Sequence, residues 1–264
     1  MYNFNYHQPL SVDEALQFLS AASDGKLMGG GMTLIPTIKQ RLASASDVVD
    51  ISRISGLGGI SQDGDAIVIG ATTTHATVAG DETVKGRIPA LAALAEGIGD
   101  PQVRNCGTIG GSIANNDPAA DYPAGLVGLG ATVRTNQREI AADDFFTGMF
   151  ETALEENEIV TGVSVPVPSK AGYAKFPNPA SRYAVVGVMV SQGPGGTRVA
   201  VTGAGPCVFR VAAMEQALSG NFAPEALDGI SVPDGDLNAD IHASAEYRAH
   251  LVGVMAKRAV AAAG

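Results

Sequence analysis

The sequence predicts an α+β protein: two small α/β units, then a third unit in which an antiparallel sheet is followed by helices. Three observations carry that prediction. The first fifty residues read strand, helix, strand, glycine loop, strand, an order that requires some parallel pairing. Residues 183–190 and 198–202 are apolar runs of strand length joined by Gly193-Pro194-Gly195-Gly196, a hairpin signal. Residues 211–219, 223–229 and 244–262 then read as helices with no strand after them. The predicted divisions are 1–54, 55–170 and 171–264. The last falls within residues 166–179, which hold four prolines and show no regular period.

Taken in order, Ser11 and Glu14 form an S-x-x-E capping box, and Val12, Ala15, Leu16 and Leu19 follow at helical spacing. Asp24-Gly25 ends that helix, and Lys26-Leu27-Met28 is a strand that runs directly into Gly29-Gly30-Gly31. Residues 34–41 make a short helix or turn, and Val48-Val49-Asp50-Ile51 is the next strand. In the second unit Asp63-Gly64-Asp65 is a turn, residues 66–70 a buried strand, and Thr72-Thr73-Thr74-His75 opens a helical region. Pro89 suits a first helical turn, Leu91, Leu94 and Ala95 supply an apolar stripe, and Gly97 stops it. Residues 100–123 read as one long loop and 125–130 as the tail of a short helix. Residues 131–135 and 159–165 are strands, closed by Pro166 and Pro168.

Composition narrows the function. The chain has 264 residues, 45% of them hydrophobic, so it can bury real cores; with no Trp and 5% aromatic residues, those cores are aliphatic. A net charge of −10 disfavours nucleic acid and anionic membrane as partners. Two cysteines, Cys106 and Cys207, without C-x-x-C spacing exclude a self-contained iron–sulfur cluster or structural zinc site. They are read as free thiols. The N-terminal residues show no basic-then-apolar leader pattern and no apolar run reaches a membrane-spanning length, so the expectation is a soluble cytoplasmic protein.

Two glycine-rich stretches ask for a ligand: Gly29-Gly30-Gly31-Met32-Thr33-Leu34-Ile35-Pro36, and Thr108-Ile109-Gly110-Gly111-Ser112 within residues 100–123. Successive glycines let consecutive N–H groups turn inward with no Cβ in the way, which suits a diphosphate. Thr33, Thr108 and Ser112 add hydroxyls. Asp100, Asp117 and Asp121 cannot face phosphate; acceptor-only groups suit ribose or ribityl hydroxyls, as do Asn115 and Asn116. The alternative is that both stretches are only turns. Neither has the G-x-G-x-x-G spacing of a Rossmann unit, and no Gly-Lys-Ser/Thr of a P-loop occurs. His75 either sits near the ligand or is a satisfied or surface histidine, the second being the favoured reading, and the four histidines show no ligand spacing.

The two stretches, the second extended through Asn115-Asn116-Asp117-Pro118-Ala119-Ala120-Asp121, resemble the flavin-binding motifs of the medium subunit of molybdenum hydroxylases. These are enzymes of the aerobic carbon monoxide dehydrogenase and xanthine dehydrogenase type, with a PCMH-type FAD domain. Supporting segments occur in the same order: residues 51–60, Ile69-Gly70-Ala71-Thr72-Thr73-Thr74-His75, Ile88-Pro89-Ala90-Leu91, residues 175–188 and Thr202-Gly203-Ala204-Gly205. The resemblance implies two FAD-binding subdomains and a C-terminal domain, with a three-stranded sheet and a helix bundle, that covers the flavin. It implies FAD as cofactor and no catalytic acid or base. It also implies a [2Fe–2S] small subunit and a molybdopterin-binding large subunit as partners in a heterohexamer, with electrons passing from the clusters through FAD to an external acceptor. By the same resemblance Gly29, Gly30, Gly31, Met32 and Thr33, with Thr108, Ile109, Gly110, Gly111 and Ser112, hold the pyrophosphate, and Leu34 beside them is cofactor-binding. Asp117 and Asp121 lie near sugar hydroxyls or the flavin side chain, where the chemistry of Asn116 also suits it to the cofactor; Tyr183 lies near the isoalloxazine, its alternative being core packing at the start of a strand, and Lys175 is a basic position before it. Cys106 departs from the larger polar residue usual at its place. A stand-alone FAD oxidoreductase and a flavin-free scaffold subunit are the alternative readings.

Overall fold

In the computed structural model, which describes residues 1–263, three main sheets follow one another along the chain. The first is wholly parallel: Asp47–Asp50 lies between Asn5–His7 and Gly25–Met28. Helix Val12–Ala21 covers it, with Ala15 fully buried. The Ser11 hydroxyl accepts from Glu14 N–H, but the returning bond falls one residue early, from Leu10 N–H to Glu14. Gly25–Met28 leads straight into the glycine triplet, and helix Leu34–Lys39 follows.

The second sheet is antiparallel, with Val160–Pro166 at its centre. Ala66–Gly70 and then Ile60–Asp63 lie on one side, Thr132–Thr135 and then Glu139–Ala141 on the other. Between Gly70 and Thr132 the chain makes six helices. Here the sequence reading needs correction, because residues 100–123 are not one loop. Asp100 caps helix Pro101–Cys106 by accepting from Val103 N–H, Thr108 caps Ile109–Asn115 by accepting from Gly111 N–H, and Asp121–Leu129 is a complete helix. The last is buried at every position. It therefore carries none of the polar-face alternation by which helices are recognised.

In the third sheet Lys170–Pro177, Ala184–Gly193 and Gly196–Thr202 run antiparallel, with the two-residue strand Phe209–Arg210 at the edge. The stretch read as irregular, 166–179, thus contains a strand, with Pro166 and Pro168 before it, Pro177 as its last residue and Pro179 beyond. Helix Ala245–Ala262 lies against that strand so closely that a Cβ at Gly172 would stand 2.0 Å from the Ala259 carbonyl oxygen. Val186, Val188 and Val201 meet Leu251, Val252 and Met255 in an aliphatic core, each side chain worth about 1.5–3 kcal/mol on burial.

The buried helix Asp121–Leu129 joins the second and third units. Gly128 admits Met189, whose Cγ lies 2.5 Å from where its Cβ would be. Ser191 and Arg198 donate to the carbonyls of Gly128 and Val127, and Thr202 to that of Ala120. Both cysteines are free. Among the described residues no helix is long and apolar enough to cross a membrane, and no cluster of metal-ligating side chains occurs.

Candidate functional site

The two glycine stretches meet. A Cβ at Gly30 would fall 1.8 Å from the Cys106 carbonyl oxygen, and one at Gly29 would fall 2.7 Å from Thr108 Oγ1. Glycine at 29–31 is therefore dictated partly by the close approach of the second stretch, and at Gly31 by a left-handed backbone, φ 71°. Between them opens a cleft of 620 Å³ lined from all three units, with Leu27, Ile51, Ile159 and Tyr183 in its wall.

The stretches contribute differently. Among the described residues, the backbone N–H groups of Gly29, Gly30, Gly31, Met32, Thr33 and Leu34 donate to no protein acceptor, and all six residues line the cleft. Six unpaired donors in succession are rare in a folded chain. In the second stretch the amides are occupied. Ile109 and Gly110 N–H donate to the carbonyls of Thr73 and Ala71, Gly111 to the Thr108 hydroxyl and Ser112 to the Thr108 carbonyl. What that stretch offers the cleft is the Thr108 N–H and the side chains of Thr108, Ser112 and Asn115. The helix start that gives it a fixed shape also consumes the donors expected from it.

Three residues named from the sequence are not cleft residues. Ile109 is fully buried in the core. Asn116 holds a left-handed turn, φ 42°, and its amide donates to the carbonyls of Gly148 and Glu151, so it fastens a hairpin rather than meeting a sugar. Lys175 donates to the Gly97 and Arg182 carbonyls and pairs with Asp121 at 3.0 Å. Asp121 touches the cleft wall but is itself 4% exposed, bound to Lys175 and to the Tyr173 hydroxyl. Burial raises its carboxyl above the ordinary value, against the pull of Lys175 and Tyr173. Asp100 is occupied as a helix cap and Asp117 accepts from Ala119 N–H, so the acidic groups are turned to structural use rather than toward a phosphate.

Tyr183 lines the mouth of the cleft and is 45% exposed; burial, then the Asp117 and Asp121 carboxylates, raise its hydroxyl pKa. His75 is neither a surface nor a satisfied histidine, and it lies in the cleft wall, as the other reading has it. It is buried against Tyr122 and Gly107, Nδ1 has no partner among the described residues, and burial with nearby Arg104 lowers its pKa to about 4. The sequence also left out Ile98, Gly99 and Arg182 as cleft residues. Gly97-Ile98-Gly99 was the available signal, read only as a helix stop.

A cleft with bare amides at one wall and an aromatic side chain at its mouth defines a protein that binds a phosphate-bearing aromatic cofactor. Residues 2–168 match the family described as FAD binding domain in molybdopterin dehydrogenase, and the chain belongs to that family. It is 35% identical to the nicotine 6-hydroxylase medium subunit of Paenarthrobacter nicotinovorans and 36% identical to the carbon monoxide dehydrogenase medium chain of Hydrogenophaga pseudoflava. Each alignment covers 98% of this chain and 96% of the relative. The solved carbon monoxide dehydrogenase of H. pseudoflava superposes with a TM-score of 0.89 at 37% identity, covering 99% of this chain and 97% of that one. Quinoline 2-oxidoreductase of Pseudomonas putida 86 superposes at 0.87 with 28% identity, over 99% and 97% of the two chains. The cofactor of the family is FAD, and the unpaired amides of residues 29–34 are the observation that fits its diphosphate here.

Proposed function

We propose that this chain is the FAD-binding medium subunit of a molybdenum hydroxylase of the carbon monoxide dehydrogenase type. In this reading residues 1–54 and 55–170 are the two FAD-binding subdomains and 171–264 is the domain that covers the cleft. FAD, when bound, supplies the redox chemistry, accepting electrons from one partner and releasing them to another. The chain's own task is binding and orientation. The amides of residues 29–34, with the Thr33, Thr108 and Ser112 hydroxyls, face the diphosphate; charge-assisted hydrogen bonds of this kind are worth about 1.5–3 kcal/mol each. Asp117 meets hydroxyls of the sugar or ribityl chain, and Tyr183 shields the ring from water.

The single observation that carries the reading is the run of six unpaired amides lining one cleft. The scarcity of cysteine supports clusters in another chain: a [2Fe–2S] small subunit would deliver electrons from a molybdopterin-binding large subunit, in a cytoplasmic heterohexamer. The test is purification of the full chain with its native partners. A complex whose flavin is released as FAD on denaturation, and which contains an iron–sulfur chain and a larger chain, is the expected result. A colourless chain that binds no added FAD overturns it.

A further inference from the structure

The resemblance places Lys175 against the cofactor, yet its side chain is 10% exposed and its ammonium has no donor left for one. It donates to the Gly97 carbonyl at 2.8 Å, to the Asp121 carboxylate at 3.1 Å and to the Arg182 carbonyl at 2.9 Å. An ammonium has three N–H donors, and here all three are met by groups from three separate segments.

One of those segments is the turn that presents Tyr183. Asn178 N–H donates to the Tyr183 carbonyl and Arg182 N–H to the Asn178 carbonyl, with Arg182 left-handed at φ 62°. The Arg182 guanidinium reaches the Gly99 carbonyl at 3.1 Å, and beyond Tyr183 the Ala184 N–H donates to the Ala119 carbonyl at 3.2 Å. Internal bonds shape the turn, but only a few outside ties fix it over the cleft. Of these, Lys175 alone also binds a buried carboxylate, at the first residue of the helix that joins the second and third units.

We propose that Lys175 is a positioning residue that holds Tyr183 over the cleft and couples that placement to Asp121. The proposal rests on the reading that the cleft holds FAD with its ring beside Tyr183. A lysine suits the task because three acceptors converge on one nitrogen; a guanidinium spreads its donors in a plane and cannot reproduce that geometry. Asp121 supplies the charge that keeps the ammonium seated, and the Tyr173 hydroxyl takes part of the carboxylate's remaining capacity.

The test uses the full chain loaded with FAD and compares wild type, Tyr183→Leu, Lys175→Arg, the double variant Lys175→Met/Asp121→Asn, which removes both charges together so that neither is left buried alone, and the triple variant that adds Tyr183→Leu to the double. A tyrosine ring beside a flavin quenches its emission. Tyr183→Leu and the double variant are each expected to brighten bound FAD several-fold, the triple combination no further, and Lys175→Arg by an intermediate amount. In the flavin-free chain the Ala184 amide should exchange hydrogen about tenfold faster in the double variant. Unchanged emission in the double variant while Tyr183→Leu brightens, or brightening that adds fully to that of Tyr183→Leu, overturns the proposal. So does unchanged emission in Tyr183→Leu itself. Should the double variant not fold, Lys175→Arg carries the same comparison. If wild type takes up no FAD, the functional reading fails separately, and Ala184 exchange alone decides the role of Lys175: acceleration supports it and no change overturns it.

Discussion

The carbonyl oxygen of Cys106 occupies the place where a side chain on Gly30 would begin, 1.8 Å from the ideal Cβ position. The obstacle is backbone on both sides, so no rotamer change relieves it. Gly30→Ala is expected to push the two stretches apart and weaken FAD binding by at least about tenfold, the equivalent of about 1.4 kcal/mol. Gly86→Ala, with nothing within 4 Å of the added atom, should bind as wild type does. Titration of the flavin-free chain with FAD checks both.

Asn116 combines a left-handed backbone with two hydrogen bonds to the carbonyls of residues 148 and 151. Asn116→Gly keeps the backbone freedom and loses the bonds, whereas Asn116→Ala loses both. Urea unfolding is expected to rank wild type above the glycine variant by about 1–3 kcal/mol, and the alanine variant below that.

His75 is held near pKa 4 against an ordinary 6.5. The unfolded chain therefore takes up a proton at His75 before the folded chain does. Stability falls as pH drops from 6.5 towards 4, with no contribution above that window, at up to about 1.4 kcal/mol per pH unit. His75→Gln should remove this slope. Urea midpoints measured at several pH values, variant against wild type, isolate it from the other titrating groups.

Asp121→Asn alone leaves the Lys175 ammonium enclosed without a counter-charge. Breaking one side of such a pair is expected to cost about 3–5 kcal/mol. Removing both sides, in Lys175→Met/Asp121→Asn, should cost less than the sum of the single changes. A double-mutant cycle by chemical denaturation measures the coupling, and simple additivity would contradict the pairing seen here.

Much of this fold is readable before any coordinates. The capping residue Ser11, the proline at the start of helix Pro89–Glu96 and the turn Gly193-Pro194-Gly195-Gly196 each act through neighbours a few residues away, and each lies where local chemistry places it. What escapes is set by distant partners. Helix Asp121–Leu129 hides because it is enclosed on every side. Strand Lys170–Pro177 hides between prolines and owes its pairing to residues 184–192. The same division holds at the site. The glycine stretches are legible as bare backbone. That Lys175 faces Asp121, or that Asn116 faces residues 148 and 151, depends on contacts across more than thirty positions.

The close passage of Gly30 over Cys106 sets backbone directly against backbone. A change of side chain at residue 30 is thereby transmitted to the start of the helix that follows Cys106, so one wall cannot be altered without the other.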